Sequence, residues 1–157
     1  MIVYSISGES ALEVSYGNSV FFIASENLRR DQNKIQFHIQ NCRDMMGISE
    51  VNTVVQRLFS SGYFYRCGNY FACAGKKGLI IDKNFKSFPA SHKLKVNYIL
   101  LTQNAGVKLH DINAMYDYEM LILDKSNSAY RTRKWKKETD EVKIHIMAEK
   151  GALIINL

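Results

Sequence analysis

The sequence predicts an α/β protein built as a layered sandwich, and two observations carry this prediction. Short apolar segments separated by glycine-containing turns fill most of residues 2–82, a pattern typical of antiparallel sheets. The last third of the chain then alternates strand, helix, strand, helix and strand, as parallel strands joined by crossover helices do. At 157 residues the chain has the size of one domain, so residues 1–157 are predicted to form a single domain.

The first half reads as strands interrupted by one helix. Three strands open it, with turns at Gly8 and Gly17-Asn18 between them. Apolar residues then recur every three or four positions, which predicts a helix over residues 33–46 that ends at Gly47. Turn residues separate four further strand candidates. The predicted strands of this half are Ile2–Ile6, Ala11–Tyr16, Val20–Ala24, Val54–Phe59, Tyr63–Tyr65, Tyr70–Cys73 and Leu79–Ile81.

The second half is predicted to hold the parallel part of the sheet. Its strands are Tyr98–Leu101, Met120–Leu123 and Ile144–Met147, and they should be neighbours joined by right-handed crossovers. A short helix at Lys108–Met115 forms the first crossover. The second crossover helix is expected to begin at a cap on Ser126 or Asn127 and to run to about Val142. A turn at Glu149–Gly151 precedes a last strand at Leu153–Ile155.

The chain is basic, with 21 Lys and Arg against 15 Asp and Glu and a formal net charge of +6. Such a surplus permits a polyanionic partner, either nucleic acid or an anionic membrane surface; the alternative is a solvated basic face.

No apolar run approaches the roughly 18–20 residues of a membrane span. The first residues also lack the features of a signal peptide. A chain that begins directly in a strand is expected to be a domain cut from a longer protein.

Motifs for metal or nucleophilic chemistry are absent from the sequence. The histidines (His38, His92, His110 and His145) are scattered, and the three cysteines (Cys42, Cys67 and Cys73) have no zinc spacing, so neither a metal nor another cofactor is expected. Buried free thiols are the default expectation for the cysteines, and a Cys67–Cys73 disulfide is the alternative in an oxidising compartment.

Asp82 and Asp124 each follow a buried strand. Asp82 is a weak catalytic candidate, and both residues also suit turns. No small-molecule ligand is expected.

Basic residues concentrate on the second crossover helix. They are predicted to contact nucleic acid, with Trp135 among them stacking on a base of single-stranded DNA. The alternative is that Trp135 anchors the helix to the sheet while the cations face solvent. Loop lysines at positions 83, 86, 93 and 95 would extend the patch if they faced the same side. The predicted contact residues are Arg131, Arg133, Lys134, Trp135, Lys136 and Lys137.

Several segments, in order and at similar spacing, resemble the end of ComEC-type competence proteins, most closely the form of Bacteroidetes-like relatives. These segments are Ile2–Tyr4, Gly17–Ile23, Val96–Thr102, Leu123–Ser128, Trp135–Lys137 and Glu149–Leu153. Proteins of this family are multi-span inner-membrane proteins associated with DNA uptake. The resemblance implies that the chain is a soluble, periplasmic domain of such a protein. DNA and the membrane-embedded remainder of the parent protein are then its implied partners.

The resemblance also implies a metallo-β-lactamase-like fold, a four-layer αββα sandwich. The catalytic form of that fold carries a His-x-His-x-Asp-His run, a His-His-Gly-Ser stretch and a later bridging Asp. This sequence has only His38 between Ile23 and Tyr63, and it reads Thr102-Gln103-Asn104-Ala105 where the second motif would fall. Asp82 alone matches the bridging residue. These departures from the catalytic motifs predict a degenerate metal site and a non-catalytic role for the domain. The alternatives are a metal-dependent nuclease that degrades the non-transported DNA strand and a purely structural domain.

Overall fold

Two β-sheets flanked by helices make up the part of the chain that the structure describes, residues 1–86, 92–139 and 143–157 of a computed structural model. The strands are β1 (Ile2–Val3), β2 (Ala11–Tyr16), β3 (Ser19–Ala24), β4 (Glu50–Thr53), β5 (Leu58–Ser60), β6 (Phe64–Cys67), β7 (Tyr70–Cys73), β8 (Lys76–Ile81), β9 (Leu94–Leu101), β10 (Tyr116–Leu123), β11 (Ile144–Ile146) and β12 (Leu153–Ile154). The helices are α1 (Glu26–Arg30), α2 (Gln32–Ile35), α3 (Asn41–Met45), α4 (Leu109–Met115), α5 (Ala129–Glu138) and α6 (Met147–Lys150).

The smaller sheet has five strands in the order β12-β1-β2-β3-β4. Its strands pair antiparallel except for β3 and β4, which are parallel because the helical segment α1–α3 carries the chain from one to the other. The alternating pattern at Ala11–Tyr16 and the turn at Gly17-Asn18 are therefore confirmed as a hairpin. The strand predicted at Ile2–Ile6 is shorter, since β1 ends at Val3.

The larger sheet has seven strands in the order β11-β10-β9-β8-β7-β6-β5. Strands β5 to β8 form an antiparallel meander, and β8 to β11 are parallel. The three strands predicted to be neighbours in the last third of the chain are neighbours in this sheet, which confirms that part of the prediction. Met147, predicted to end the last of them, instead begins α6.

Three apolar clusters show how the sheets and helices pack. One cluster joins residues of the two sheets, for example Leu12 of β2 with Phe64 of β6. A second lies between the smaller sheet and the segment α1–α3, and includes Leu28. The third lies between the larger sheet and the helices α4 and α5, and includes Ile112 and Trp135. The protein is thus a mixed α/β structure, and this order of packing is compatible with the predicted sandwich.

The predicted helices are present with altered ends. The helix expected over residues 33–46 is found as α2, a π-helical turn at Gln36–Gln40 and α3. Helix α5 begins after Ser128, whose Oγ accepts a hydrogen bond from Arg131 N at 3.3 Å, so the predicted cap at Ser126 or Asn127 is wrong. The helix ends at Glu138 because Thr139 is already extended. The end predicted at Val142 lies outside the described residues.

Strand pairing in the meander of the larger sheet explains why position 78 is a glycine and why Cys67 and Cys73 do not form a disulfide. Phe71 lies opposite Gly78, and a Cβ at position 78 would come within 2.0 Å of the Phe71 ring, so the ring needs a glycine beneath it. In the same meander Cys67 pairs with Tyr70 and Cys73 pairs with Phe64. The two cysteines are therefore not opposite each other, and both are free thiols. Cys73 is buried, as expected by default, whereas Cys67 is exposed.

Candidate functional site at the carboxyl edge of the larger sheet

Parallel strands bring the polar residues that follow them to one edge of the sheet. Ile81 pairs with Leu101, and Leu101 pairs with Leu123, so the ends of β8, β9 and β10 are level. Asp82, Thr102 and Asp124 each follow one of these strands. The two strand-end acids singled out in the sequence therefore lie on the same edge. This edge is the usual place for ligand sites in open α/β sheets.

Asp82 lines a small cavity of about 90 Å³ between the two sheets, at this edge. The cavity is also lined by Ser10, Arg66, Thr102 and Gln103. One carboxylate oxygen of Asp82 accepts a hydrogen bond from the backbone N–H of Asn84 at 2.9 Å, which is the geometry of a turn-starting aspartate. Asp82 thus has both properties considered from the sequence, a place in a cavity and a role in a turn.

The guanidinium of Arg66 gives the cavity a cationic wall. Its Nη1 donates to the carbonyl oxygen of Val54 at 2.9 Å, and its Nε donates to that of Gly68 at 3.2 Å. Burial lowers the pKa of Arg66, and the carboxylate of Asp82 acts in the opposite direction by favouring the charged form. A fixed cation at this place repels a metal ion.

The turn after β9 has a backbone conformation that side chains seldom adopt. Gln103 and Asn104 have φ of 52° and 56°, both in the left-handed region. Two side chains of the next loop support the turn, because Ser126 Oγ accepts from Gln103 N at 2.6 Å and Asn127 Oδ1 accepts from Asn104 N at 2.9 Å. In return, Asn104 Oδ1 accepts from Ser128 N at 2.7 Å. The loop that leads into α5 therefore holds the strained turn in place.

Asp124 is the buried centre of this network, with only 2% of its surface exposed. Its Oδ1 accepts from Ser126 N at 3.0 Å, from Asn127 Nδ2 at 3.2 Å and from the Ser126 hydroxyl. Its Oδ2 is buried and has no hydrogen-bond partner among the described residues. Burial raises the pKa of Asp124 to about 6, although the hydroxyls of Ser126 and Ser10 and the Ser126 N–H favour the ionised form. The sequence showed only an acid after a strand; its central position in the loop network is a finding of the structure.

Two buried acidic residues, one in the smaller sheet and one just before its strand β2, were not found from the sequence. Glu13 accepts hydrogen bonds from Arg43 Nε at 2.8 Å and from the Tyr4 hydroxyl at 2.7 Å, and it is buried with Arg43 beneath the helices. Glu9 accepts from Lys34 Nζ at 2.9 Å, and this bond raises the pKa of Lys34. Each acid has a cationic partner at least 25 residues away, so no local pattern could have revealed the pairs.

Metal-ligating residues do not gather at this edge or elsewhere in the described ranges. Within residues 1–86, 92–139 and 143–157 there is no group of three or more His, Cys, Asp or Glu residues that could hold a metal ion. A catalytic zinc site needs about three protein ligands converging on one point. The described residues therefore do not fit the metal that the resemblance implies for catalytic relatives.

Helix α5 places the residues predicted to contact nucleic acid in different surroundings. Trp135 is 1% exposed in the cluster beneath the helix, and its Nε1 donates to the carbonyl oxygen of Val107 at 3.4 Å. Its ring is therefore covered in this structure and cannot stack on a base. Trp135 instead anchors α5 to the larger sheet, which is the alternative considered from the sequence. Lys136 forms an ion pair with Glu149 at 2.9 Å, and Arg131 is half-buried. Arg133, Lys134 and Lys137 are exposed.

The loop lysines do not extend the basic surface of α5 as one group. Lys83 and Lys86 follow β8 at the carboxyl edge, whereas Lys93 and Lys95 lie at the beginning of β9. Since β9 rises about 3.3 Å per residue, these two pairs are separated by roughly 20 Å along the sheet. The four lysines therefore form two separate groups, and Lys93 of the second group lines a cavity together with Glu138 and Thr139 at the end of α5.

Comparison with known proteins places the whole chain in one family model. The model described as the ComEC C-terminal domain matches residues 1–157. No curated protein and no solved structure matches the chain. In the described ranges, the helices are all too short or too polar to cross a bilayer.

Proposed function

Because the chain belongs to the family of ComEC C-terminal domains, we propose that it acts in DNA uptake as a non-catalytic domain of a larger membrane protein. The observation that carries the non-catalytic part is the composition of the cavity at the carboxyl edge. Arg66, Thr102 and Gln103 stand there where a di-metal hydrolase needs carboxylates and imidazoles.

The proposal includes a metallo-β-lactamase-like fold, a four-layer αββα sandwich, with a degenerate site. The apolar clusters support it, since one lies between the sheets and one lies on the outer side of each sheet. The position of the cavity supports it too, because it lies between the sheets at the edge where parallel strands end. Among the residues that line this cavity in the described ranges, Asp82 is the one that matches a ligand of the catalytic form.

A domain without hydrolytic chemistry contributes to uptake through contacts. We propose that it contacts DNA, or docks on the membrane-embedded remainder of its parent protein, on the periplasmic side. The formal charge of +6 supports a polyanionic partner, because a basic surface raises the rate of encounter with phosphates. The exposed cations of α5, which are Arg133, Lys134 and Lys137, lie close together on one helix and are available for such contact.

Metal content and DNA cleavage test the non-catalytic role together. The purified chain should hold far less than one equivalent of zinc, manganese or iron by elemental analysis. It should cleave single- and double-stranded DNA only at the background rate, with or without added Mn²⁺ or Zn²⁺. Asp82→Ala and Asp117→Ala, a matched change of an exposed aspartate, should behave alike. One or two tightly held ions per chain, with cleavage that Asp82→Ala abolishes and Asp117→Ala retains, would establish the nuclease instead.

A further inference from the structure

The exposed face of α5 combines one aromatic ring with three cations. Tyr130 is 75% exposed, although a tyrosine that contributed to the core would be covered. Helical residues advance about 100° each, so positions 130, 133, 134 and 137 lie on one face. That face is opposite Trp135, which is buried against the sheet. The residues are Tyr130, Arg133, Lys134 and Lys137, and we call them the α5 outer face.

The charges of the α5 outer face are not neutralised by the described part of the chain. Ion pairs among residues 1–86, 92–139 and 143–157 do not include Arg133, Lys134 or Lys137. In contrast, Lys136 on the flank of the same helix is engaged by Glu149. Three cations that form no ion pair with the described acidic residues, beside an exposed ring, match a ligand that carries phosphates and flat bases.

We propose that the α5 outer face binds single-stranded nucleic acid, with Tyr130 stacking on a base and the three cations contacting the backbone. The proposal rests on the proposed role in DNA uptake and specifies the strand form and the residues. Base stacking on an exposed aromatic ring selects single strands, because bases in a duplex are already stacked on one another. The ring proposed from the sequence, Trp135, is replaced in this role by Tyr130.

An anionic membrane is the other surface that three cations could meet, and the composition of the face argues against it. Helices that lie on a bilayer bury an apolar face rich in Trp, Phe or Leu. The apolar face of α5 is already used against the sheet, and its outer face offers one tyrosine and no aliphatic side chain. A single ring suits a base better than the acyl boundary of a membrane.

Fluorescence anisotropy with a labelled dT12 oligonucleotide at low salt tests the proposal. The wild-type chain should bind weakly, and the log–log slope against salt should be about −2, since each of three contacted phosphates contributes about −0.7. Tyr130→Ala should weaken binding at least about fivefold, and Tyr130→Phe should restore it. Affinity for a blunt duplex should be nearly unchanged by Tyr130→Ala. The exposed Tyr65→Ala is the matched aromatic control and should bind as wild type does.

Charge controls decide whether the site is local. The triple change Arg133→Ala, Lys134→Ala and Lys137→Ala should nearly abolish binding, whereas the triple Lys77→Ala, Lys83→Ala and Lys86→Ala removes the same charge at exposed positions outside α5 and should have little effect. Equal losses in the two triples, unchanged affinity in Tyr130→Ala or no binding to dT12 at low salt would each overturn the proposal. So would vesicles of one-third phosphatidylglycerol that capture the chain through α5 while dT12 does not bind. These outcomes concern DNA binding alone. The non-catalytic role is tested separately, by metal content and DNA cleavage.

Discussion

Removing the charge of Asp124 should make the protein less sensitive to pH. The carboxyl is 2% exposed, and burial raises its pKa from 3.8 to about 6. An acid whose pKa is raised by folding binds its proton more tightly in the native state, so ionisation costs stability. This cost is absent below about pH 3.8, grows as the pH rises and is complete above about pH 6. Across the whole range it amounts to about 3 kcal/mol, at about 1.36 kcal/mol per pKa unit.

Asp124→Asn keeps the shape of the side chain and removes the ionisation. Its Oδ1 still accepts from Ser126 N and Asn127 Nδ2, and its amide nitrogen replaces Oδ2, which has no hydrogen-bond partner among the described residues. The variant should therefore gain stability relative to the wild type as the pH rises. Between pH 4.5 and pH 7.5 the difference in unfolding free energy should shift by about 2 kcal/mol in favour of the variant.

Urea unfolding at the two pH values measures this difference. The single tryptophan, Trp135, is buried and reports unfolding by fluorescence. Asp117→Asn, the same substitution at an exposed aspartate, is the control for the loss of one negative charge. A difference for Asp124→Asn that is the same at both pH values within about 0.5 kcal/mol would refute the reasoning, because the carboxyl would then titrate alike in the folded and unfolded chains.

Two further substitutions test the packing of the helices. Trp135→Ala should cost about 3–5 kcal/mol in urea unfolding followed by circular dichroism, because it empties a fully buried site beneath α5; a cost below about 1 kcal/mol would mean that the ring is not an anchor. Arg43→Met should cost about 3–5 kcal/mol, because Glu13 is left buried without its cation. Adding Glu13→Gln to Arg43→Met should recover part of that loss, and a double variant as unstable as Arg43→Met alone would contradict the account.

Much of the sheet could be predicted from local pattern. The alternation at Ala11–Tyr16, the glycine-containing turns and the strand–helix–strand rhythm after Tyr98 all act over a few residues, and the structure contains the corresponding hairpin and parallel strands. The lack of metal-ligand motifs could also be read directly, since such motifs depend on residue identity and spacing. The cap of α5 could not, because Ser126, Asn127 and Ser128 are all competent caps. The first two are used instead by the turn at Gln103, which lies more than twenty residues away in the chain.

Residue types and their local spacing were enough to identify most of the strands and helices, the basic charge and the lack of the histidine runs of a di-metal hydrolase. The tertiary structure decided which side of each element is covered. It buried Trp135 and exposed Tyr130 on the same helix, because only one face of a helix can meet the sheet. It also buried one oxygen of Asp124 without a hydrogen-bond partner among the described residues, and it joined Glu13 to Arg43 across 30 residues. Burial and pairing of this kind depend on contacts between distant segments, and a local pattern does not encode them.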